Sequence, residues 1–150
     1  ILADDLPGSG CTEDDVLAAT AAFVPAIELI DSRIRDWKIA LCDTIADNAS
    51  SAGFVLGSQR VSPKDVDICA IDAVLTRNGE VVAEGRSDAV LGNPVTAVAS
   101  LARKVDSFGV RLKAGDIVLP GSCTRAIDVR PGDAFLAEFA GLGSVRLSFE

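Results

Sequence analysis

From Phe23 to Ile34 apolar and polar positions alternate, so that Val24, Ala26, Glu28 and Ile30 share one face of an extended segment and Pro25, Ile27, Leu29 and Asp31 the other. The alternation predicts a strand with Glu28 on an otherwise apolar face. Upstream, ILA reads as a short strand and DDLPGSGC as a turn-rich connection. Thr12 has the chemistry of a helix N-cap, and Glu13, Asp14 and Asp15 follow in the first turn, where carboxylates complement the helix dipole. A helix over 13–22 is therefore expected, with Val16, Leu17, Ala19 and Ala21 inward.

Over 36–48 the apolar spacing becomes helical. Ile39, Cys42, Ile45 or Ala46, and Ala49 fall on one side, with Asp36 as a possible cap and NASSAG as the stop. GFVLG follows as a short strand. Asn78-Gly79 between two β-rich runs predicts a hairpin with a type I′ turn, because both central positions of that turn need positive φ. Asn93 as N-cap, Pro94 in the first turn and Gly109 beyond the end bracket a helix with Val95, Val98, Ala99, Ala102 and Val105 on one face. The remainder, from Asp116 onward, reads as short strands between Gly and Pro turns. Strands outnumber helices and do not alternate with them, which predicts an α+β or β-roll architecture in one domain, residues 1–150.

Composition narrows the partners. Fourteen basic residues against twenty-two acidic ones give a net charge of −8, the wrong sign for nucleic acid. Hydrophobic residues make up 49% of the chain, yet no apolar run reaches the roughly 18 residues of a membrane span. Such a surplus predicts burial between subunits, hence a homo-oligomer. Cys11, Cys42, Cys69 and Cys123 stand singly and predict free thiols in a cytoplasmic protein. With no His, any metal site here would be built from carboxylates, which favour hard ions. A chain that opens on Ile1 within a strand and contains no Met is expected to be a fragment.

Glu28 is the first candidate for chemistry, since an ionised carboxylate on an apolar face is costly unless it is paired or ligates a metal. That this face is an exposed sheet edge, or that Glu28 pairs with Arg33 or Arg35, are the bland alternatives. Asp43 and Asp47 stand four apart, either solvated or with one raised in pKa for proton transfer. Asn48, Ser50 and Ser51 follow, as ligand contacts or as a helix stop. In PGSCT, residues 120–124, Gly121 permits close approach and the Ser122 and Thr124 hydroxyls can hold a carboxylate; an ordinary turn fits equally.

The segments PAIELIDSRI, DWKIALCDTIADNASSAGFVLG, AVLGNPVTAVASLARKV, GVRLKAGDIVLPGSCT and PGDAFLAEFAGLGSVRLSF, in that order, resemble the C-terminal part of the 2-oxopent-4-enoate (2-hydroxypenta-2,4-dienoate) hydratases. The 4-oxalocrotonate decarboxylases are close relatives, and both groups belong to the fumarylacetoacetate hydrolase superfamily. The resemblance implies a mixed β-roll core and a divalent metal, Mg2+ or Mn2+, held by three carboxylates. Glu28, in the PAIE motif, matches the third. The other two, a Glu-x-Glu pair, and a catalytic Lys are expected upstream of ILADDLPG. It also implies that Ser122 and Thr124 hold a substrate carboxylate, that Asn48 and Ser50 contact substrate, and that Asp47 lies near a position used for proton transfer. The expected activity is hydration of a 2-hydroxydienoate in aromatic or sterol ring catabolism, with the following pathway aldolase as a possible partner. Decarboxylation, or a scaffold role without catalysis, are the alternatives.

Overall fold

The computed structural model describes all 150 residues, Ile1–Glu150. A two-stranded antiparallel sheet joins β1 (Ala26–Ile30) to β2 (Ser51–Leu56), with Glu28 opposite Phe54. A four-stranded antiparallel sheet is built from β3 (Asp72–Arg77), β4 (Glu80–Arg86), β5 (Ala134–Phe139) and β6 (Gly143–Ser148), in the order β4-β3-β5-β6. The two sheets meet where β6 packs beside β1 and β2. The architecture is α+β as expected, although every strand pair is antiparallel, so the sheets themselves are not mixed.

Helix α1 (Glu13–Ala19) starts as its sequence dictates. The Asp15 amide donates to Thr12 Oγ1 at 3.2 Å and the Thr12 amide to Asp15 Oδ2 at 2.8 Å, which satisfies two amides left open at the helix start. The helix ends three residues earlier than expected. Thr20 is extended and bridges Leu2, so ILA contributes a single bridge instead of a full strand, and Ala21 is exposed while Ala22 is buried. Helix α3 (Pro94–Asp106) is capped by Asn93, whose Oδ1 accepts from the Val95 amide at 2.9 Å. Val95, Val98, Ala99 and Ala102 face Val16 and Ala19 of α1 together with Leu2, Leu6 and Cys11, forming the main core.

The Asn78-Gly79 turn has φ of 54° and 87°, the two positive values that turn type needs, and joins β3 to β4. Two expectations fail. The helix over 36–48 is reduced to α2 (Leu41–Ala46) between single 3-10 turns at Arg35–Trp37 and Asn48–Ser50. Asp36 has φ 58° and caps nothing; the Ala40 amide is held by Asp43 Oδ2 at 2.9 Å. The apolar side of this segment faces outward, with Leu41 75% and Ile45 71% exposed. Between Leu112 and Arg130 there are no regular strands at all; that segment crosses the sheets as an extended connection. No helix is long and apolar enough to cross a membrane.

Candidate active site

β1 and the connection through residues 117–129 enclose a mostly apolar cavity of about 950 Å³, within the size range of small-molecule sites. Glu28 lines it from β1, and Ser122 and Thr124 line it from the connection. Asp31 and Trp37 lie on the same wall. The bland reading of Glu28 as half of an ion pair is not what the fold does. No Lys or Arg comes within 4.0 Å of its carboxylate, and the guanidinium of Arg33 is engaged elsewhere.

Arg33 closes the excursion between β1 and β2. Its Nη1 donates to Asp31 O at 3.2 Å and Ser51 O at 2.9 Å, its Nη2 to Asp47 O, and its Nε to Asp47 Oδ1; its amide reaches Asp47 Oδ2 at 3.1 Å. Burial pushes the Asp47 carboxyl up, but these Arg33 hydrogen bonds and the guanidinium charge outweigh it and hold the group below the ordinary carboxylate value. Asp47 is therefore a fixed anion. Of the two readings of Asp43 and Asp47, solvated or one raised in pKa, the raised one fails at Asp47, because a guanidinium sits where an apolar neighbour would have been needed.

Asp47, Asn48 and Ser50 do not line the cavity. Asn48, Ala49 and Ser50 have φ of 50°, 55° and 60°, three successive left-handed residues that turn the chain into β2. The Ser50 hydroxyl is buried near Asp47, close enough to favour its anion but without hydrogen-bond geometry. The Ser50 carbonyl accepts from the Asp31 amide at 2.9 Å, so the turn is tied to the end of β1.

The Gly121–Thr124 loop is self-braced. Ser122 Oγ donates to Thr124 O at 2.8 Å and accepts from the Thr124 amide at 3.2 Å, which leaves Thr124 Oγ1 as the freer hydroxyl. Burial pushes the Cys123 thiol up, so it lines the cavity as a neutral group. All four cysteines are free thiols, as their spacing suggested. The loop lies directly on β4. A Cβ on Gly85 would stand 1.9 Å from Cys123 O, so this strand position admits only glycine if the loop is to sit where it does. Sequence reading passed over Gly85; a lone glycine inside a strand pattern was the available signal.

A hard oxygen ligand among the residues lining a cavity, with no cationic partner, is the donor chemistry a divalent cation takes. Glu28 fits as one ligand. The full three-carboxylate set is not assembled by these residues, since no three His, Cys, Asp or Glu side chains come together to hold a metal.

The chain has relatives of known family and fold. The family model described as fumarylacetoacetate (FAA) hydrolase C-terminal matches residues 1–150. The chain is 47% identical over 149 residues to a 2-keto-4-pentenoate hydratase of Paraburkholderia phymatum, an alignment covering 99% of this chain and 57% of that protein. It is 40% identical over 144 residues to a 4-oxalocrotonate decarboxylase of Pseudomonas putida, covering 96% and 54%. The solved structure of a Pseudomonas putida 4-oxalocrotonate decarboxylase complexed with magnesium and adipate superposes with a TM-score of 0.95 at 39% identity, over 100% of this chain and 57% of that one. The chain thus spans a little over half the length of the relatives it matches. By sequence and fold alike, it belongs to the fumarylacetoacetate hydrolase family.

Proposed function

We propose that this chain carries the substrate cavity of a divalent-metal-dependent hydratase that converts 2-hydroxypenta-2,4-dienoate (2-oxopent-4-enoate) to 4-hydroxy-2-oxopentanoate. The observation that carries the reading is the convergence of an unpaired Glu28 and the Gly121–Thr124 loop on one apolar cavity, in a chain 47% identical to a named hydratase. Glu28 would hold Mg2+ or Mn2+ together with ligands supplied from outside these 150 residues. When bound, the metal supplies Lewis acidity toward the oxygens of a 2-oxo acid.

The chain's own residues bind and orient. Thr124 Oγ1 and the loop amides not already engaged donate to the substrate carboxylate, while Ser122, braced on Thr124 O, keeps the loop in shape. The apolar walls hold the hydrocarbon end and exclude bulk water, which strengthens every polar contact inside. Asp47 acts as a positioning residue: as a fixed anion it anchors Arg33, which ties the end of β1 to the start of β2. Asn48 and Ser50 belong to that same turn. The outward apolar side of α2 supports the homo-oligomer reading.

The full-length protein with Mg2+ should remove the ultraviolet absorbance of the dienoate, and Glu28→Gln in it should lower that rate to background while leaving thermal unfolding unchanged. Full activity in Glu28→Gln would overturn the assignment. Decarboxylation is the second reading, favoured by the likeness to the decarboxylase structure; carbon dioxide release from a 2-oxo-3-hexenedioate decides between the two.

A further inference from the structure

Residues Arg125–Asp128 form a wall shared by two depressions, the large cavity and an open cleft of about 460 Å³. The cleft is polar and collects three arginines: Arg77 from the end of β3, and Arg125 and Arg130 from the connection into β5. Two of the guanidiniums are anchored to backbone at its rim, Arg125 Nη2 donating to Val82 O at 3.0 Å and Arg77 Nη1 to Asp128 O at 3.4 Å. Backbone anchoring fixes the heads while leaving their other N–H groups free.

None of the three has a carboxylate within 4.0 Å; the ion pairs of the chain are made by Arg33, Lys38, Arg86 and Arg111. Three acids lie nearby, and one of them, Glu80, is the exposed register partner of Arg77 across the hairpin. Asp133 is buried and committed to the hairpin, accepting from Asn78 Nδ2 and from the Arg130 amide, each at 2.9 Å. Asp128 lines the cleft but contributes one charge against three. What sets the three apart is that they line one depression together. Like charges so placed repel one another, and each guanidinium offers paired N–H groups that match two oxygens of one anion. The field of the cluster already reaches Asp133. Its carboxyl is held below the ordinary value first by the Asn78 hydrogen bond, with the charges of Arg77 and Arg130 contributing.

We infer that this cleft is a binding site for a small dianionic oxyanion, of the phosphate or dicarboxylate class, recognised by Arg77, Arg125 and Arg130. Arg77 and Arg130 line the cleft and not the cavity, so they separate this site from substrate binding, on which the inference does not rest.

Calorimetric titration of the purified protein at fixed ionic strength, with inorganic phosphate in one arm and succinate in the other, tests it. Saturable one-to-one binding is expected in at least one arm, weakened at least tenfold in both Arg77→Gln and Arg130→Gln. Saturation by phosphate alone assigns the phosphate class, and by succinate alone the dicarboxylate class. No saturation in either arm, or unchanged affinity in a variant that retains the native thermal transition, overturns the proposal; should one variant not fold, the other decides.

Discussion

Gly85→Ala is the sharpest test of how the fold holds the Gly121–Thr124 loop, to which the proposed function assigns the substrate carboxylate. The added methyl would stand 1.9 Å from Cys123 O, 2.8 Å from Cys123 C and 3.2 Å from Thr124 Cγ2. Atoms at the first distance must separate by more than about 1 Å before their repulsion is relieved. Gly85 cannot yield, because it sits inside β4, paired with Ala73 of β3, whose other edge is held by β5. The Gly121–Thr124 loop must move instead, and Ser122 and Thr124 move with it because they are braced on each other. Displacement of about 1 Å at a substrate-orienting group costs on the order of 10²-fold in rate, while overpacking of this kind costs about 1–3 kcal/mol in stability. Dienoate turnover in Gly85→Ala should therefore fall by about 10²-fold in kcat/KM, in a protein that still unfolds cooperatively. Glu84→Ala, at an exposed position one residue away on the same strand, should change it less than about twofold. Activity of Gly85→Ala within twofold of the parent would refute the claim that β4 sets the loop's position.

Two further outcomes concern stability. Thr12→Ala removes the oxygen that accepts from the Asp15 amide and should destabilise the protein by about 1 kcal/mol, lowering Tm by about 2–4 °C; an unchanged melting curve would mean that α1 is held by α3 alone. Asp133 is lowered from 3.8 in the folded protein, so its contribution is complete at pH values above 3.8 and is lost as pH falls below that value through the folded pKa. Urea unfolding of Asp133→Asn followed from pH 6 to pH 3 should thus show a shallower loss of stability toward acid than the parent, and parallel curves would remove Asp133 as the cause.

Signals that act over a few residues were legible in the sequence and their structural outcomes match. Thr12 with Asp15, Asn93 with Pro94, and Asn78-Gly79 each specify a cap or a turn through groups at most three positions apart, and each appears where its chemistry requires. The helix over 36–48 failed for the complementary reason. Its periodicity is real, but α2 is one short helix whose apolar side finds no neighbour in this chain, and tertiary contact is what stabilises most helices of that length. The strands expected between Asp116 and Arg130 failed because β-rich composition does not supply a partner edge: β4 turns that edge to Cys123, Thr124 and Arg125 as a surface for a loop to lie on, not as a ladder to extend.

The charged run between Glu28 and Asp47 shows the same limit in sharper form. Glu28 and Asp47 were both acids among apolar residues, and nothing within either local pattern separates a group that faces a ligand from one that holds the chain. The fold separates them by where one side chain lands. Arg33 lies five residues from Glu28 and fourteen from Asp47, yet Glu28 stays within the strand that lines the cavity while Asp47, just ahead of the left-handed turn at Asn48–Ser50, comes back onto the guanidinium. Once Arg33 is committed there, Asp47 is held as an anion and Glu28 is left without a cation. The free carboxylate and the paired one are thus two results of one placement. If Arg33 were removed, Asp47 would lose the contacts that hold its carboxyl low, and the β1 to β2 connection would lose its ties at Asp31 and Ser51, which makes the geometry of the Glu28 wall depend on a residue that never enters the cavity.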